Sequence, residues 1–115
     1  MTLRLTRIVL PVRDRDKQLA FYRDVLGLPV KGSTSDPNVV ELDAGPCSLL
    51  LLKSPHPTDS ECAARLSFFA DNPADLHEEL QLLGIKVGKI QEFGPHPSFD
   101  GTDAEGNPFQ ITNRP

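Results

Sequence analysis

One stretch occurs twice in this chain of 115 residues, and the repeat restricts the possible fold more than any other feature. Residues 7–30 read RIVLPVRDRDKQLAFYRDVLGLPV, and residues 65–87 read RLSFFADNPADLHEELQLLGIKV. Arg7 and Arg65 stand 58 positions apart, and Gly27 and Gly84 stand 57 apart, so the copies differ by one residue of slack near the helix start. Each copy opens on an arginine followed by alternating apolar residues. It then passes an acidic, cap-forming turn (Arg13-Asp14 in one, Asp71-Asn72 in the other), runs as a helix to a glycine and restarts as a strand. Self-similarity at a fixed period means one supersecondary unit used twice. The whole length suits a single domain, residues 1–115, able to bury roughly 65% of its unfolded surface without staples.

Period-two alternation puts Ile8, Leu10 and Val12 on one face of a first strand, residues 5–12, and Arg7, Val9 and Pro11 on the other. The aliphatic face needs a helix over it. Residues 15–26 supply Leu19, Tyr22, Val25 and Leu26 at spacings of three and four, with Asp14 as N-cap and Gly27 as the stop. Strands are predicted over residues 28–31, 39–42 and 47–53. The last carries a leucine run whose outward register the sequence leaves open. Residues 54–63 read as a connector, with His56 exposed in it. In the second copy Leu66, Phe68 and Ala70 oppose Arg65, Ser67 and Phe69. A helix over residues 73–83 offers Leu76, Leu80 and Leu83, with Asn72 as cap, Pro73 in the first turn and His77 toward solvent. Strands follow over residues 85–90, 98–102 and 108–112. The expected fold is therefore α+β, two βαβββ modules over residues 5–53 and 64–113. The faces bearing Arg7 and Arg65 are expected to meet each other, or a partner subunit, across a concave site.

The net charge of −4 argues against nucleic acid, which needs a basic surface. No apolar run is long enough to cross a membrane, and residues 1–14 lack the apolar core of a secretory signal. A cytoplasmic protein is expected, with Cys47 and Cys62 as reduced thiols. Cys47 reads as a small apolar residue beside a turn more readily than as a nucleophile.

The string RDRDKQLAFYRDVLGLPV, residues 13–30, resembles the first module of the vicinal oxygen chelate superfamily. That superfamily holds glyoxalase I, extradiol dioxygenases, fosfomycin-resistance enzymes and bleomycin-resistance proteins. The ending FDGTDAEGNPFQIT, residues 99–112, resembles its closing hairpin, and the similarity runs from residue 7 to residue 112. The resemblance implies a cupped, partly closed mixed sheet. In metal-dependent members it also implies a divalent ion held by a His or Glu on the first strand of each module and a Glu on the last. Carried across, these positions fall on Arg7, Arg65 and Gln110, with the fourth somewhere in residues 47–52, where Ser48 is the one polar candidate. A guanidinium has five donors, no lone pair and a permanent charge, so Arg7 and Arg65 cannot ligate a cation. No metal and no cofactor are therefore expected.

Three readings of function follow. The first is a metal-free binder of a small organic molecule in the cup between modules, lined by Arg7, Arg65, Ser67, Phe69, Phe99 and Gln110. Paired arginines suit a carboxylate or phosphate. Against this stands a structural role for the arginines, Arg7 pairing with Glu41 or Asp43 and Arg65 with an acidic residue of the connector. The second is a lyase or dioxygenase-type enzyme with a non-standard or metal-independent site drawn from His96, Asp100 and Asp103. No catalytic residue is assigned, because no spacing among these demands catalysis, and Asp103 reads better as the shaper of its turn. The third is a structural role with the cup filled. A small-molecule ligand and a homodimer are the expected partners, with no nucleic acid and no membrane.

Overall fold

The computed structural model describes residues 5–32, 36–54, 65–92 and 94–114. The chain divides into two compact units, residues 1–60 and 61–115, each with one open three-stranded mixed sheet and a helical segment. This is the α+β, twice-used unit that the repeat predicts.

In the first unit, β1 (Arg7–Val12), β2 (Val39–Asp43) and β3 (Ser48–Lys53) lie in the order β1-β3-β2. β1 runs parallel to β3 with Arg7 opposite Ser48 and Val9 opposite Leu50. β2 runs antiparallel to β3 with Glu41 opposite Leu50. Val12, Val40, Leu42, Leu49 and Leu51 are buried on one sheet face together with Phe21 and Tyr22. Residues 28–31 do not form a full strand. They contribute a single bridge, Val30 to Leu42, flanked by hydrogen bonds from Lys31 N to Glu41 O and from Asp43 N to Pro29 O, 2.8 Å each.

The helix starts where expected. Asp14 sits in an extended conformation, and its carboxylate accepts from Lys17 N at 3.1 Å. Only α1 (Arg15–Leu19) is α-helical, and Ala20–Val25 continue as a wider π-helix, with Leu26 N donating to Phe21 O at 3.1 Å. Gly27 ends it at φ +79°, a conformation open to glycine without strain. The buried face carries Gln18, Phe21 and Tyr22. A hydrophobicity count finds Tyr22 but passes over Gln18 because that residue is polar. It also leaves Phe21 out, since neighbours on an α-helix point about 100° apart. Here Phe21 and Tyr22 are both buried, in an edge-to-face pair 5.2 Å apart.

In the second unit, β4 (Leu66–Phe69), β5 (Ser98–Thr102) and β6 (Pro108–Thr112) lie in the order β4-β6-β5, again with one parallel and one antiparallel pairing. α2 (Pro73–Leu82) is capped by Asn72, which accepts from Asp75 N at 3.3 Å, and has Pro73 in its first turn. Its inner face differs from the predicted stripe. Leu80 is buried, but Leu83 is 56% exposed. His77 turns inward, its ring edge-on to Phe99 at 4.9 Å and its Nε2–H donating to Gly88 O at 2.8 Å. Residues 85–90 reduce to a bridge between Val87 and Gly101, with Gly88 N bonded to Asp100 O at 2.7 Å.

The connector, residues 54–63, lies outside the described residues apart from Ser54, and His56 and Cys62 lie outside them with it. Cys47 is half-buried and not in a disulfide. Among the described residues no helix is long and apolar enough to cross a membrane.

Candidate binding site

Each sheet buries one face under its helix and leaves the other open. On the first sheet the open face carries Arg7, Val9 and Pro11 from β1, Leu50 and Leu52 from β3, and Val39 and Glu41 from β2. Alternation dictates this set, because Leu49 and Leu51 take the core positions. On the second sheet it carries Ser67 and Phe69 from β4, Gln110 from β6 and Asp100 from β5, with Arg65 just before β4.

The two open faces share one device. Arg7 Nε donates to Glu41 Oε1 at 3.0 Å across β3, and Arg65 Nη1 donates to Asp100 Oδ1 at 3.2 Å across β6. In each unit the arginine stands at the head of the first strand. The carboxylate stands on the antiparallel strand, opposite the matching central residue, Leu50 in one unit and Gln110 in the other. The side chains are roughly half exposed apart from that of Glu41 (24%), so each pair is screened and worth about 0–1 kcal/mol. Their larger effect is on charge, since each guanidinium already has a carboxylate beside it. Arg7 takes one of the two partners that the sequence offered for it. Arg65 pairs with a strand residue, Asp100, while the connector suggested for it lies outside the described residues.

The register also resolves the fourth position. Val9 faces Leu50 on β3 just as its counterpart Ser67 faces Gln110 on β6. The residue matching Gln110 is therefore Leu50, not Ser48. By the resemblance drawn from the sequence, Arg7 and Leu50 in the first unit and Arg65 and Gln110 in the second correspond to the positions at which metal-dependent relatives place ligands. Three of them have no lone pair to give. The fourth offers one neutral carbonyl oxygen, which already accepts from Ser67 Oγ at 3.2 Å. Among the described residues no group of three or more His, Cys, Asp and Glu side chains converges in a way that could hold a metal ion. The residues present do not fit the ion that such relatives use.

The other named residues fall as follows. Phe69 is 58% exposed on the open face, in keeping with its expected place. Phe99 is 1% exposed and belongs to the core beneath α2, which corrects its assignment as a pocket wall. The alternation Ser98, Phe99, Asp100 contained that answer, because a strand that exposes Asp100 must bury Phe99. His96 is half-buried, and its Nδ1 is 3.1 Å from Asn113 Oδ1. Asp103 is buried within its turn. It accepts from Glu105 N and Asn107 N at 2.9 Å each and from Asn107 Nδ2 at 2.9 Å. That makes it the turn-former the sequence suggested and removes it from acid–base duty. Away from the sheets, Arg23 holds the Asp24 carboxyl below its usual range through their hydrogen bond, on an exposed stretch of helix. Sequence reading missed Lys31, whose Nζ donates to the buried Ser48 Oγ at 3.0 Å. No local motif marks that contact, which depends on the two segments meeting through β2.

Comparison with known proteins agrees with this architecture. Among solved structures the chain is similar to a lactoylglutathione lyase from Agrobacterium tumefaciens, at 22% identity and TM-score 0.74 over 94% of this chain and 91% of that one. It is similar to an antibiotic binding protein from Streptomyces sp. CB03234, at 18% identity and TM-score 0.80 over 96% and 94%. It is also similar to a virulence protein from Salmonella typhimurium, at 24% identity and TM-score 0.74 over 97% of each. At these identities the likeness establishes the fold alone. Among curated proteins no sequence match was found. The family model described as Glyoxalase/Bleomycin resistance protein/Dioxygenase superfamily matches residues 4–111, nearly the whole chain, and the protein belongs to that superfamily.

Proposed function

We propose that this protein binds a small organic molecule on its open sheet faces without the aid of a divalent metal ion. The observation that carries the reading is the set Arg7, Leu50, Arg65 and Gln110, three of which have no donor atom for a cation. Arg7 in one unit and Arg65 in the other each bring a positive charge in place of a ligand. The lyase and dioxygenase chemistries of the superfamily depend on a Lewis acid, and these residues supply none.

The same faces have what a binding surface needs. Val9, Leu52 and Phe69 are exposed apolar contacts, and guanidinium N–H groups stand beside them. Since Glu41 and Asp100 already balance the arginines, the ligand that fits best presents both acceptors and donors. A carboxylate or phosphate on it would engage the N–H groups that the ion pairs leave over. The Streptomyces neighbour is an antibiotic binding protein, which supports the binding reading by analogy of fold. A homodimer in the cytoplasm is the working form that we expect.

The test is a thermal melt of chelator-stripped protein with Ni²⁺, Fe²⁺, Mn²⁺ and Zn²⁺ added in turn. A ligand present at a hundred times its dissociation constant stabilises the folded state by about 2.7 kcal/mol, a shift that is easily read. We expect no saturable rise with any of the four metals. A rise with one of them would overturn the reading and restore a metal-dependent reaction.

A further inference from the structure

We propose that the open face of the first sheet continues at its β2 side into a cleft that takes the carboxylate end of a small amphiphilic molecule; the inference rests on the open-face reading, since Val39, Glu41 and Leu50 belong to both. Among the described residues, strand β2 has an outer neighbour along only part of its length. The segment carrying Pro29, Val30 and Lys31 bonds to the Glu41 and Asp43 end and reaches Gly32, where φ is +68°. Beside this segment lies a cleft of about 410 Å³, lined by Val30, Val39 and Leu50 and by Arg15, Lys31 and Glu41. Such a volume falls among those of small-molecule pockets.

The polar lining is incomplete in one specific way. Lys31 Nζ has a neutral partner, the Ser48 hydroxyl at 3.0 Å, and no acidic one among the described residues. Arg15 pairs through Nη1 with the exposed carboxylate of Asp16 at 3.1 Å, while its Nε is buried and has no hydrogen-bond partner among the described residues. A buried donor left unmet is costly, and native structures rarely leave one so. The Glu41 carboxylate also faces the cleft, but Arg7 balances it. What the cleft lacks is an anion that accepts hydrogen bonds. A carboxylate supplies the counter-charge for Lys31, with the Arg15 guanidinium nearby in the lining, while Val30, Val39 and Leu50 take an apolar body. A neighbouring hollow of about 430 Å³ shares Arg15 but is lined by Arg13, Asp14, Asp16, Pro37 and Lys53. With carboxylates set among its cations and no aliphatic wall, it is a solvated charge cluster.

The experiment is a methyl and amide NMR titration of the full chain with octanoate, using octanamide as the uncharged control of equal length. Octanoate should shift the Val30, Val39 and Leu50 methyl signals saturably. Octanamide should bind about tenfold more weakly, and Lys31→Gln should weaken octanoate by a similar factor, as loss of one charge-assisted contact requires. Lys31→Arg, which keeps the charge, should retain binding and keeps the test decisive should glutamine disturb the turn. Equal binding of octanoate and octanamide would overturn the proposal, as would undiminished octanoate affinity in Lys31→Gln. Shifts confined to Ser67, Phe69 and Gln110 would sink this site while sustaining the open-face reading. Cleft shifts lost in Lys31→Gln but kept in Arg65→Ala would establish it even if the open face of the second unit binds nothing.

Discussion

At the scale of single residues, the closing hairpin of the second unit depends on two positions that no binding role explains. A Cβ on Gly101 would stand 2.6 Å from Phe109 Cζ, so the ring of the cross-strand neighbour occupies the space a side chain would need. The ring is fully buried and cannot withdraw freely. Gly101→Ala should therefore cost about 1–3 kcal/mol, the usual range for overpacking, measured by urea denaturation. Asp103 gathers backbone and side-chain N–H groups of Glu105 and Asn107 onto one buried carboxylate. Asp103→Ala leaves those donors unmet, and a loss of about 2 kcal/mol or more is expected in the same assay. Arg65→Ala removes a half-exposed pair and should change stability by less than about 1 kcal/mol. A large loss there would show the arginine to be structural and would weaken its place in ligand binding.

At the scale of elements, the parts of the fold that local chemistry determines were legible in the sequence. Asp14 and Asn72 cap their helices, Gly27 and Gly84 end them at positive φ, and β5 and β6 span the residues predicted for them. Each of these rests on neighbours within a few positions. What escaped depends on packing between segments. The strands predicted over residues 28–31 and 85–90 shrink to single bridges. Nothing in either sequence says how far a strand stays beside its neighbour. The π-helical turn at Ala20–Val25 and the inward face of His77 arise because the sheet beneath selects which side chains it accepts. At the site, the arginines and Gln110 were legible by alignment with a known pattern. The match of Leu50 to Gln110, and the Asp100 partner of Arg65, required the register. Asn72 offers the simplest check at this scale. Asn72→Ala removes the acceptor for Asp75 N, and a loss of about 1 kcal/mol, with reduced helicity near 222 nm, should follow.

For the whole molecule, the question is whether a repeated unit is also an independent one. Each unit has a core of its own, Leu42, Leu49 and Leu51 with Tyr22 in the first, and Leu80, Phe99, Phe109 and Ile111 in the second. Each is also close to 60 residues long, a size at which a chain buries only about 60% of the surface it exposes when unfolded and is marginally stable. Each leaves a sheet face with exposed apolar residues, Val9 and Leu52 in one and Phe69 in the other. Duplication gives two similar small cores, neither ample for a stable fold alone, so the units should stand or fall together. Calorimetry should then show one transition, with the van't Hoff and calorimetric enthalpies equal. Leu51→Ala in the first core and Phe109→Ala in the second should each cost about 2–5 kcal/mol and lower that same transition. Two transitions, each sensitive to only one of the substitutions, would instead show that the repeat is a pair of autonomous folding units.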